Sequence, residues 1–202
     1  MKKSLTTYLS RAGTVIFVLF AVLVFYRMYV LERAKQTAVQ VARIHATKLT
    51  LNDVMGKNLP PVPASPDATI AGVDANKNGI RDDVELAIFQ TYPDSAKIRS
   101  PLLQYALALQ TEMTLQLVNG GTVSATIEDL EGHADVCLWS LSSRSDMTKF
   151  IADVNKYRSF VEKLQLNSTA RTKYLKDLIN NNLQSGGPSD GGCDIQPTTL
   201  PN

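Results

Sequence analysis

From Ala12 to Leu31 the chain reads AGTVIFVLFAVLVFYRMYVL, with Arg27 the one charged residue in the run. At about 1.5 Å of rise per residue, a helix of that length matches the roughly 30 Å hydrocarbon core of a bilayer. So long an apolar stretch is costly to leave in water, and it constrains the fold before any other feature. The run predicts a transmembrane helix over 12–31, with 1–11 as a cytoplasmic leader. Arg27 lies near one boundary, where its aliphatic stem lets the charge snorkel, and Tyr26 and Tyr29 suit the interfacial belt. A cleaved signal peptide is the competing reading. It is disfavoured because the apolar core passes into a charged helical stretch with no small-residue cleavage site.

Charge does not orient the span, because Lys2, Lys3 and Arg11 before it are matched by Arg27, Arg33 and Lys35 after it. The short basic leader places the N-terminus inside. The expected location is the inner (cytoplasmic) membrane, single-pass, with the C-terminal domain periplasmic or extracellular. Those six residues are part of 21 Lys+Arg, and up to Lys35 the only acid is Glu32, leaving 15 basic against 18 acidic residues beyond. The net charge of +2 thus averages a basic membrane flank with a slightly acidic domain, and no nucleic-acid footprint is present.

No Pro or Gly occurs between Arg27 and Asn52, and the helix formers there predict that the helix continues as a stalk over 32–52. Ala34, Ala38, Val41, His45 and Leu49 form a thin seam, suited to packing on the domain or to weak self-association, so a homo-oligomer is possible. GKNLPPVPASP, from Gly56 to Pro66, carries four prolines and predicts an extended linker over 53–73.

The stretch DANKNGIRDDVE, Asp74 to Glu85, carries the one recognisable chemistry. Calcium takes 6–8 oxygen ligands in a sharply turned loop. Asp74, Asn76 and Asn78 fall at ligand positions 1, 3 and 5, Gly79 at the turn, the Ile80 carbonyl at 7, Asp82 at 9 and Glu85 at 12. The stretch resembles an EF-hand-like loop, in the style of dockerin or thrombospondin type 3 repeats, and the resemblance covers those twelve residues. It implies a Ca2+ ion held by Asp74, Asn76, Asn78, Ile80, Asp82 and Glu85. Two departures matter: the preceding segment is proline-rich where a helix would enter, and Arg81 occupies position 8, normally apolar for pairing with a second loop. A structural ion at moderate affinity follows, rather than an opening switch. A metal-free Asn/Gly turn that caps the next helix is the alternative.

Downstream the periodicity is helical throughout. A short helix carries Val84, Ala87, Ile88 and Tyr92 and ends at Pro93. A second opens at Ser100 and Pro101, with Leu102, Ala106, Leu109, Met113 and Leu117 inward, and stops at Gly120 and Gly121. Others open near Thr126, at Asp146 and after Asn167. The expected fold is all-α, a small antiparallel helical bundle over 74–184 followed by a flexible tail over 185–202. The two cysteines, Cys137 and Cys193, predict one structural disulfide that pins the tail if the compartment is oxidising, against the alternative of two free thiols.

No catalytic constellation emerges. His133, Asp135 and Cys137 are close in sequence but lack a second nearby histidine, and Glu128, Asp129, Glu131 and Asp135 read as a solvated helix face. The expectation is a non-enzymatic, membrane-anchored protein with a calcium-stabilised domain, acting as a structural or adaptor component toward another envelope protein. An envelope hydrolase and a calcium-responsive sensor are the alternatives.

Overall fold

The computed structural model describes residues 2–115, 119–182 and 191–202. It is all-helical, with no strand among the described residues. Helix α1 spans Lys2–Ala46, α2 Leu51–Val54, α3 Asp82–Thr91, α4 Ala96–Thr114 and α5 Gly120–Ser124. A π-helical segment, Ala125–Glu131, joins α5 to α6, Gly132–Trp139; α7 is Met147–Gln165, α8 Thr169–Asn182, and a 3-10 turn covers Pro197–Thr199.

The chain divides into two units, Met1–Val39 and Gln40–Asn202. The first is the greater part of α1. It is long and apolar enough to cross a membrane, and no part of its most apolar stretch is buried within the protein. Its Val, Ile, Leu and Phe side chains from Val15 to Leu31 face outward on all sides, as in a helix whose partner is lipid.

In the second unit α1 ends at Ala46, short of the expected stalk end at 52. A new capping site causes the break: the Thr50 side chain accepts from the Asp53 backbone N–H while the Asp53 carboxylate accepts from the Thr50 N–H, and this reciprocal box starts α2. The Leu49 N–H is also diverted, donating to the Asp194 carboxylate at 2.8 Å. Among the described residues of α1 only Ile44, outside the predicted seam, is buried; of the seam itself Leu49 is buried just beyond the helix, Val41 is half-buried, and Ala34, Ala38 and His45 stay exposed.

Helix α4 is the centre of the body. Every residue from Arg99 to Met113 is buried, and α4 packs against α3, the π-helical segment, α6, α7 and α8. A helix enclosed on all faces must be apolar on all faces, and LLQYALAL supplies that; each fully buried leucine contributes about 1.5–3 kcal/mol. The helix starts at Ala96, capped by Ser95, rather than at Ser100, so Pro101 lies inside it and the Ser100 hydroxyl donates to the Ile195 carbonyl. Leu117, expected on this stripe, lies outside the described residues. Gly120 and Gly121 do not stop a helix but open one: the Asn119 side chain caps α5, and Thr126, read as a cap, donates to the Thr122 carbonyl in mid-helix. Helix α7 opens at Asp146 as expected, where the Asp146 side chain accepts from the Lys149 N–H.

The proline-rich segment is not a free spacer. Buried Arg171 of α8 donates to the carbonyls of Pro66, Thr69 and Ile70 and pairs with Asp67 at 2.5 Å. Gln110 of α4 donates to the Ala71 carbonyl at 2.6 Å. Backbone with no helical partner thus finds donors on the body's own helices.

The tail is likewise held from Gly191 onward, its earlier part lying outside the described residues. Cys137 and Cys193 are joined in a disulfide, with Cα atoms 4.7 Å apart. Beyond it the Asp194 N–H donates to Gln104, and the Pro201 carbonyl accepts from the Lys97 N–H.

Replacing Arg171 by Ala leaves the carbonyls of Pro66, Thr69 and Ile70 without this buried donor and Asp67 with the Asn167 amide in place of its ion pair. It should lower unfolding stability by about 3 kcal/mol in urea titration and make the 60–72 segment the first site of limited proteolysis.

Candidate metal centre

The loop from Asp74 to Glu85 turns on two residues in the left-handed region, Lys77 at φ 59° and Gly79 at φ 85°. Glycine is needed at 79 for a second reason, since a Cβ there would come 2.7 Å from the Leu107 side chain of α4. The loop therefore rests on the central helix.

Its side chains fold the backbone inward. Asp74 accepts from the N–H of Asn78 at 3.2 Å and of Gly79 at 3.0 Å, and Asn78 accepts from the Ile80 N–H at 2.9 Å. Asp82 accepts from the Ala75 N–H, and its own N–H donates to the Val73 carbonyl, closing the two ends of the turn. The Asn76 amide donates to Glu85 at 3.0 Å and to the Asn58 carbonyl at 2.8 Å. Ile80 is buried beneath the turn. Asp82 and Glu85 sit in the first turn of α3, where unpaired N–H groups favour negative charge.

Electrostatics sets this loop apart from a plain helix cap. Glu85 is 1% exposed and Asp82 0%. Burial pushes the Glu85 carboxyl up to about 7, and the fields of Asp53 and Asp82 add to it against the Asn76 and Asn78 amides. Asp82 is raised too, by burial first and then by Asp74 and Asp83, with the Ala75 N–H opposing. Arg81 does not neutralise them. Its guanidinium turns to Asp83 at 2.6 Å and to the carbonyls of Leu164 and Gln165 at the end of α7.

Five of the expected ligand side chains, Asp74, Asn76, Asn78, Asp82 and Glu85, therefore meet in one hydrogen-bonded turn. Among the described residues no group of three or more His, Cys, Asp or Glu side chains stands together so as to hold a metal. That covers Asp74, Asp82 and Glu85, the three acids among the six expected ligands; the other three are neutral oxygens from Asn76, Asn78 and the Ile80 backbone. The donor set is all oxygen, mixed in charge and includes buried carboxylates short of positive partners, which fits a hard cation.

The other candidates do not converge. Cys137 is committed to its disulfide, and Asp135 pairs with Arg158 of α7 at 2.6 Å. Asp129 pairs with His45, and Glu128 accepts from Ser124. Glu131 turns inward, 3.3 Å from the Tyr105 hydroxyl and beside Glu112, whose buried oxygens have no hydrogen-bond donor. Burial raises both carboxyls. Sequence reasoning missed Glu112, and also Asp53, whose field reaches Glu85. Thr50-x-x-Asp53 is a legible capping signature, and Glu112 was readable as a carboxylate beside Leu109 and Met113 on an otherwise apolar helix.

The raised Glu85 carboxyl fixes a pH dependence for the chain in chelator. Its folded value lies above the unfolded one near 4.5, so the folded state holds the extra proton between them. Stability should fall as pH rises from about 5 to 7, by about 3 kcal/mol at most, and level off above. Glu85→Gln should flatten that slope and, at pH 8 in chelator, exceed wild type in urea unfolding. Comparison of the chain with protein-family models, curated proteins and solved structures returned no match.

Proposed function

We propose that this is a single-span membrane protein whose extracytoplasmic helical domain is braced by a calcium ion and serves as a structural or adaptor component toward another envelope protein. The observation that carries the calcium reading is Glu85, enclosed against neutral amides and within the fields of other carboxylates. A divalent cation would answer that charge, with Asp74, Asn76, Asn78, the Ile80 carbonyl, Asp82 and Glu85 as its ligands. The outward-facing apolar helix supports the membrane span. The Cys137–Cys193 disulfide supports an oxidising compartment, and closing its loop contributes about 4 kcal/mol in the chain-entropy model.

A brace is favoured over a sensor by how the loop is built in. Gly79 lies against Leu107, Ile80 is core, and Arg81 is spent on α7, so the position an EF-hand uses to pair with a second loop is already occupied from within. Losing the ion should loosen the joint without exposing a new binding groove.

A reporter fused after Asn202 should be active only when its enzyme requires the extracytoplasmic side; activity confined to the cytoplasmic reporter would remove the location and the disulfide argument together. Crosslinking in intact membranes, followed by mass spectrometry, should return a reproducible partner peptide linked to residues 40–202, whereas links within the chain alone would refute the adaptor role.

A further inference from the structure

Glu112, the acid buried on the central helix, takes no part in the calcium reading. It is 0% exposed, and among the described residues neither of its carboxylate oxygens meets a hydrogen-bond donor. An ionised carboxylate enclosed in that way is costly, and either a cation or a proton has to answer it.

The titratable groups around it come from four elements. Tyr105 lies on α4 with Glu112, Glu131 ends the π-helical segment, Asp135 belongs to α6, and Arg158 and Glu162 to α7. Both oxygens of Asp135 engage Arg158, at 3.1 and 2.6 Å. The Tyr105 hydroxyl has one hydrogen to give and lies between Glu131 at 3.3 Å and Glu162 at 3.1 Å, so it can satisfy only one of them. The cluster is short of hydrogens, and a protonated carboxyl supplies one. Burial first, and then the field of Glu131, holds the Glu112 carboxyl well above the ordinary range. The hydrogen bond between the two acids raises Glu112 and lowers Glu131, which burial and Asp135 otherwise raise, so Glu112 donates and Glu131 accepts.

Glu131 reaches this place at the end of a helical turn of unusual width, and π-helical turns are rare and concentrate at functional sites. The same segment turns Asp129 outward to His45. We propose that Glu112 and Glu131 share one proton, and that this hydrogen bond latches the π-helical segment to α4 until rising pH removes it. The proton then passes to water, and two carboxylates are left to repel each other across the contact. The folded pair holds its proton above the ordinary value of 4.5, so its contribution is complete below that pH and is lost as pH rises through the raised value.

The test is amide hydrogen exchange of the 125–131 segment, read by mass spectrometry on the full-length chain in detergent and chelator. Wild type is compared at each pH with Glu112→Gln, whose amide keeps a donor at every pH. Both carry the contribution of Glu85, so their difference isolates the pair. From about pH 5 to pH 8 the wild-type segment should come to exchange at least about tenfold faster than that of Glu112→Gln, one pKa unit being tenfold in the opening equilibrium. Glu112→Leu, which has no donor, should exchange fast already at pH 5. Wild type and Glu112→Gln changing in parallel overturns the proposal, and so does protection in Glu112→Leu equal to that of Glu112→Gln. Should the leucine variant fail to fold, infrared spectra decide: wild type near neutral pH should show a protonated-carboxyl C=O band that Glu112→Gln lacks, and identical carboxyl bands would refute the shared proton.

Discussion

A carboxylate enclosed away from water must keep a proton or meet a cation, and the body of this protein is assembled so that Glu85 faces that choice. Helix α3 buries Val84 and Ile88 against the core, and Glu85 stands between them in sequence, so the packing that secures the helix also encloses the acid. The loop before it cannot swing away. Gly79 touches α4, and Arg81 reaches the end of α7. The groups that meet Glu85 there are neutral amides, and the oxygens of the loop are of the kind that suit calcium.

The rest of the domain handles irregular backbone in one recurring way. Three buried arginines, Arg81, Arg99 and Arg171, aim their forks at carbonyl oxygens, and Arg81 and Arg171 each pair with a carboxylate as well. Arg99 takes the carbonyls of Val54, Tyr92 and Pro93 and stacks over the Phe89 ring at 4.6 Å. Each guanidinium offers five donors in a fixed plane, so one side chain satisfies several carbonyls and offsets its own desolvation. This is how an all-helical body keeps a long proline-rich connection close to its core. The disulfide at Cys193 and the Asp194 contacts to Leu49 and Gln104 complete the same enclosure at the other end of the chain.

Features with a local physical signature were readable in the sequence. The apolar run of α1, the helical periods of α3, α7 and α8, the Asp146 cap and the cysteine pair all depend on residues near one another or on simple pairing. What escaped depends on tertiary context. Prolines predicted an extended spacer because they remove donors, but Arg171, about a hundred residues away in sequence, supplies the donors that hold it. Ser100 and Pro101 signalled a helix start, yet Ser95 caps a turn earlier and the proline is absorbed. Position 8 of the loop showed only that Arg81 is polar; that it is buried and closes α7 is a property of the packed helices. The four acids from Glu128 to Asp135 looked like one surface stripe, and the π-helical segment sends them to different partners.

We propose that calcium answers the enclosed acids of the Asp74–Glu85 loop. The most direct measurement is the thermal unfolding of the chelator-treated full-length chain at neutral pH, followed by circular dichroism, with millimolar calcium or with the same concentration of magnesium. Calcium should raise the midpoint by about 5 °C or more, as expected for a ligand well above its dissociation constant, and magnesium should have little effect. Superimposable melts with and without calcium would contradict the account and leave Glu85 as a buried acid that keeps its proton.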